Sequence, residues 1–116
     1  MDTLWHLAEA NVWSDALRTG LYTGSTKGAS LAEVSFVHCS FAAQLPIVAA
    51  AIYRGMSELM LLEIDPGRLG MVDVRVEAVP GTSERFPHVY GAIPTAAVTS
   101  VTPVRVDSGG RVLNRD

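Results

Sequence analysis

Residues 71 to 79, MVDVRVEAV, set Val72, Val74 and Val76 in strict alternation with Asp73, Arg75 and Glu77. Successive side chains of an extended chain project to opposite faces, so this run suits a strand with one packed face and one wet face. A sheet solvated on one side is characteristically antiparallel. Around that strand the chain offers more of the same kind. ELMLLEID, from Glu58 to Asp65, is the most apolar strand candidate, FPHVYGAIP follows, and TAAVTSVTPVRV reads as a last strand whose Pro103 suits an edge or a bulge. PGRL and PGTS supply turns between them, and connections this short make the late strands mostly antiparallel.

The first half of the chain carries the helical signals. TLWHLA, Thr3 to Ala8, predicts a short first strand with Leu4, His6 and Ala8 on one face and Trp5 and Leu7 on the other. Ala10, Trp13 and Leu17 then recur at helical spacing, and Gly20 supplies the stop. LYTGSTKGAS reads as a loop leading to a strand around Val34 to Cys39. Ser40 is the expected cap of a second helix with Ile47, Ala50 and Ala51 on its apolar stripe, closed by Arg54 and Gly55. Pro46 has no N–H to give a helix interior, so that helix kinks or begins there. The expected fold is therefore α+β: a small, mostly antiparallel split sheet with two main helices, one domain over residues 1–106 and a tail over 107–116 that is frayed or hairpin-like.

Composition bounds the function. A chain of 116 residues with 48% hydrophobic and 18% charged residues can bury one core without metals or disulfides. A net charge of −3 argues against general nucleic-acid binding. No apolar run approaches the roughly 20 residues of a membrane helix. The single cysteine cannot close an internal disulfide, and with no signal-like start this predicts a cytoplasmic location.

The chemical signal lies in three histidines. In SFVHCSFAAQLP, Ser35 to Pro46, strand geometry puts Val37, Cys39 and Phe41 on one face and Phe36, His38 and Ser40 on the other. Cys39 falls on the packing side, and adjacent strand residues diverge, so His38 cannot serve it as a base. His6 and His88 also lie in short patterned segments, and His6 shares a face with His38 if the first two strands are neighbours. FPHVYG brings His88 and Tyr90 to the rim of that sheet. A zinc site from the three imidazoles is conceivable by ligand type, but the spacings match no local metal motif, and no metal is expected. The plain alternative is that each imidazole bridges two buried polar groups.

LWHLA, FVHCS followed by QLP, LLEIDPGRL and FPHVYGAIP together resemble an uncharacterised bacterial family, the domain-of-unknown-function family nine fifty-two, over roughly Leu4 to Val104. That family is grouped by fold likeness with the ADP-ribosyltransferase-like proteins, whose active members bind NAD in a cleft between two small sheets. The resemblance implies NAD or a related nucleotide as ligand, with transfer or hydrolysis at the nicotinamide–ribose bond. It makes His6 similar to the histidine on a ribose hydroxyl, puts His38 against the nicotinamide end with Ser40 beside it, and places His88 near the third motif. His6, His38 and His88 are thus the implied catalytic residues, and His6, His38, Ser40 and Tyr90 the implied nucleotide contacts. The usual glutamate is missing from FPHVYG, so Glu63 or Glu77 would have to reach the cleft from another strand. Arginines of the phosphotransferase branch would be Arg54 and Arg85. The competing expectation is a noncatalytic binding or interaction module with structural histidines.

Overall fold

A computed structural model describes residues 1–115; Asp116, the end of the expected tail, lies outside them. Strand β1 (Leu4–Glu9) leads directly into helix α1 (Ala10–Thr19), which Gly20 ends at φ 83°, a left-handed conformation that glycine adopts without a Cβ clash. Trp13 and Ala16 face the core, while Leu17, expected there, is 62% exposed. Position 17 lies one residue past the buried stripe, and Ala16 packs in its place. Strand β2 (Leu21–Tyr22) and a loop bridged between Gly24 and Ser30 follow.

The expected loop, residues 21–30, opens with β2, and the strand expected from Val34 is preceded instead by a one-turn helix, α2 (Leu31–Val34). Glu33 Oε1 accepts from the Ser30 backbone N–H at 3.0 Å and from its hydroxyl at 2.9 Å, a closed N-terminal cap. Strand β3 (Val37–His38) is short because Ser40 leaves it to bridge another strand. Ser40 therefore caps no helix. Phe41 and Gln44 close a single 3₁₀ turn instead, and α3 (Leu45–Ile52) begins with Pro46 in its first turn, where no N–H is missed. Its buried stripe is Val48 and Ala49, with Leu45 and Ile52 packed partly behind them; Ile47, expected inside, is 44% exposed. The inward face is thus the one carrying Leu45, Val48, Ala49 and Ile52, not the one carrying Ile47.

The remaining strands are β4 (Leu59–Ile64), β5 (Asp73–Ala78), β6 (Arg85–Tyr90), β7 (Ile93–Pro94), β8 (Val98–Val106) and β9 (Val112–Asn114). Every pairing is antiparallel, and the sheet is split into the orders β1-β4-β8-β9, β3-β6-β5 and β2-β7. Strand β9 folds the expected tail back as a hairpin with β8, held at its turn by Asp107, which accepts from Gly109 and Arg111. Pro103 therefore lies on an inner strand. Its carbonyl accepts from Arg115 N–H just past the last β8–β9 pair, so its missing N–H faces the side where β9 has ended.

Two apolar clusters sandwich the four-stranded sheet. Leu4, Ala8, Leu62 and Ile64 face α1, β3 and β6, where Trp13, Tyr22, Val37, Cys39 and Val89 complete one core. Leu7, Leu59, Leu61 and Val104 face α3, with Val48, Ala49, Tyr53 and Phe86 in the other. Burial on both faces explains why β4 reads as a continuous apolar run rather than an alternating one. The three-stranded sheet is tied to the larger one where Trp5 and Ser40 exchange backbone hydrogen bonds of 2.8 Å each, while Cys39 N–H donating to Pro87 O extends the β3–β6 pairing. That junction places His38 and His6 back to back.

Candidate functional site

Direct pairing in the three-stranded sheet sets the site. His38 lies opposite His88, and Arg75 lies opposite His88 on the other side, so their side chains share the face away from the core. The valines Val37, Val74 and Val89 take the opposite face and anchor the sheet. On the outer face, Phe36, His38, Glu77, His88 and Tyr90, with the backbone turn Ala78 to Pro80, line an open cleft of about 320 Å³.

Glu77 organises the polar side of this cleft. His88 Nδ1 lies 2.9 Å from Glu77 Oε1, and a carboxylate only accepts, so Nδ1 carries the proton. The Tyr90 hydroxyl donates to the same oxygen. These two hydrogen bonds, Tyr90 first, hold the Glu77 carboxyl below the ordinary carboxylate range, and the carboxylate raises the Tyr90 phenol in return. In the neutral His88 ring, Nε2 then keeps its lone pair. That atom is fully buried and has no hydrogen-bond partner among the described residues, in a side chain only 5% exposed. Phe36 stacks on the His88 ring with centroids 4.0 Å apart and planes 16° apart. His38 meets His88 edge to face at 5.2 Å, and its own Nδ1–H donates to Cys39 O at 3.1 Å. Burial lowers the His38 pKa, so its ring is uncharged near neutral pH. The Arg75 guanidinium lies 4.4 Å from the Tyr90 ring centroid.

A carboxylate oriented by an imidazole and a phenol can accept a proton or a hydrogen bond from a ligand. The surrounding rings offer flat apolar surface for a planar group. Among the described residues no group of three or more potential ligands could hold a metal ion.

His38, His88 and Tyr90 are brought together as expected, and His6 and Ser40 are not. Strand β1 pairs with β4, not with β3 as the shared-face expectation required. His6 is 2% exposed, its Nδ1–H donates to His38 O at 2.7 Å, and its Nε2 accepts from the Tyr22 hydroxyl at 2.8 Å. Burial pushes its pKa down to about 4. With both nitrogens used internally, His6 has nothing left for a ligand. Ser40 is equally buried, with its hydroxyl turned to Trp5 O at 3.4 Å. Glu77 reaches the cleft from β5 as the missing-glutamate argument allowed, whereas Glu63 sits in β4 between Trp5 and Ser100. Arg54 is spent on the carbonyls of Ala50 and Ser108. Phe36 was legible as the same-face neighbour of His38, and Glu77 as a member of the wet face of MVDVRVEAV. Their convergence depends on the β5–β6 register, which no local pattern encodes.

The fold and site define a small α+β protein carrying a histidine-lined cleft on a three-stranded antiparallel sheet. The chain belongs to the family described as Protein of unknown function (DUF952), whose model matches residues 7–101. Among solved structures it is similar to the crystal structure of protein CC0527 from Caulobacter crescentus, at 28% identity and a TM-score of 0.80, covering 96% of this chain and 93% of that one. The solution structure of the same protein matches at 31% identity and a TM-score of 0.74, over 95% and 90% of the two chains. No curated protein matches the chain. No helix of the described residues is long and apolar enough to cross a membrane.

Proposed function

We propose that the cleft binds NAD or a related nucleotide and that the Glu77–His88 pair acts at its nicotinamide–ribose bond. The observation that carries this reading is the ionised Glu77 carboxylate, held by His88 and Tyr90 in a ring-lined cleft. The resemblance to ADP-ribosyltransferase-like proteins supports the choice of nucleotide. The site departs from their arrangement in lying on one sheet rather than between two, and in using Glu77, His88 and His38 without His6 or Ser40.

In the hydrolytic form of the reaction, water oxygen bonds to ribose C1′ while the C1′–N bond breaks and nicotinamide leaves with the bonding pair. The Glu77 carboxylate, held by His88 Nδ1–H and the Tyr90 hydroxyl, takes the proton of the attacking water. The stacked Phe36 fixes the imidazole plane. A second reading, a noncatalytic module, is favoured by one observation: His6, one of the three histidines, is a fully satisfied internal bridge.

Calorimetry with NAD, ADP-ribose and nicotinamide tests the proposal. Binding at a hundredfold excess over Kd should stabilise the fold by about 2.7 kcal/mol. Absence of heat and of any melting shift with all three at millimolar concentration refutes the nucleotide reading. Binding of NAD without release of nicotinamide selects the noncatalytic one.

A further inference from the structure

Phe36, His38, His88 and Tyr90 supply four rings to the cleft, and Glu77 is the one charged side chain among its lining residues. Ring faces carry the negative lobe of the aromatic quadrupole, so a cation is attracted to them, most strongly where water is excluded. Tyr90 already holds one, the Arg75 guanidinium at 4.4 Å. Glu77 adds a full negative charge, and its only ion-pair partner among the described residues is His88. The lowered His38 pKa keeps an opposing positive charge out of the site. Finally, the Glu77 carboxylate is held in place by His88 Nδ1–H and the Tyr90 hydroxyl, both on Oε1. An oriented carboxylate and ring faces are complementary to one kind of group.

We infer that the group entering this cleft is a protonated organic amine or similar N–H-bearing cation, its charge against the ring faces and its N–H donated to the Glu77 carboxylate. The inference rests on the cleft being a ligand site, as proposed above, but not on a nucleotide being the occupant. An anionic group finds no complement within the lining, because Arg75 lies outside it with its Nε bonded to Asp73 at 2.9 Å, so a nucleotide's diphosphate would have to lie beyond these residues. A merely structural role for the rings would leave the site indifferent to charge.

Three probes with one ring separate these cases on the full chain: benzylamine, an ammonium at pH 7; benzyltrimethylammonium, a cation without N–H; and benzyl alcohol, neutral. In amide-shift NMR titrations the ammonium should bind about tenfold more tightly than the alcohol, with the trimethyl cation between them and shifts centred on Phe36, Glu77 and His88. Glu77→Gln should abolish the preference. Phe36→Leu, which keeps the carboxylate, should narrow it to about threefold and remains informative if the glutamate variant fails to fold. Equal affinity for the alcohol, a preference that survives both substitutions, or no shift with any probe overturns the inference. If NAD binds while the probes show no charge preference, this inference falls and the nucleotide reading stands. A charge preference without NAD binding does the reverse.

Discussion

Replacing His6 by leucine isolates what the back-to-back junction contributes. The imidazole joins two chain segments through hydrogen bonds of 2.7 Å to His38 O and 2.8 Å from the Tyr22 hydroxyl. Leucine fills similar space but leaves a buried carbonyl and a nearly buried hydroxyl unpaired, at about 1–3 kcal/mol each. Gained apolar burial offsets part of this, so the expected loss is about 3 kcal/mol in urea-denaturation free energy at pH 7. The variant should also change the pH dependence. His6 titrates near 6.5 when unfolded and at about 4 when folded, so between those values the unfolded chain binds more protons. Stability must therefore rise with pH across that window. The contribution is complete above about pH 6.5 and lost as pH falls through 4, and it amounts to about 3 kcal/mol. His6→Leu should remove most of the slope between pH 4 and 6.5, leaving the smaller part due to His38, whose pKa burial also lowers. Denaturation curves at several pH values for both proteins measure it. A variant that loses less than 1 kcal/mol, or keeps the wild-type acid slope, refutes the bridging role.

Other perturbations read different parts of the molecule. His38→Ala should weaken nucleotide binding by about 1–3 kcal/mol in calorimetry while the melting temperature barely moves, since its ring is only half-buried and its one internal hydrogen bond is to the adjacent residue. A destabilised variant with unchanged affinity contradicts this. Gly24→Ala should cost about 1–3 kcal/mol, because a Cβ there collides with the Tyr22 hydroxyl that His6 requires; unchanged urea stability would refute it. Cys39 is 1% exposed and burial pushes its thiol pKa up, so it should resist alkylation in the folded protein, and Cys39→Ala should cost about 1 kcal/mol with binding intact.

Strands whose two faces differ were legible residue by residue. The alternation of 71–79 yields β5, and the division of Val37 and Cys39 from Phe36 and His38 holds, because a local rule decides which side each residue takes. Even there Val76 is 40% exposed, since β5 is the edge of its sheet and the packing face does not reach that far. α2 escaped because glycine, serine and threonine dominate its approach, although Ser30 with Glu33 was a readable cap. Partner choice between distant strands was not legible. A periodicity assigns His6 to a face but does not say which strand lies beside it. Pairing of β1 with β4 turned a presumed ligand contact into an internal bridge, while the β5–β6 register delivered Glu77 to His88 from a strand eleven residues away.

The central claim is that His38 and His88, not His6, face the ligand. An imidazole proton–nitrogen-15 correlation spectrum, recorded while NAD is added to the full chain, tests it directly. Before addition, His88 should show a protonated Nδ1 and a bare Nε2. On addition, the His88 Nε2 and His38 ring signals should shift in proportion to occupancy, while the His6 signals stay fixed. Movement of His6 with His38 and His88 silent, or no movement of any imidazole, would contradict the account.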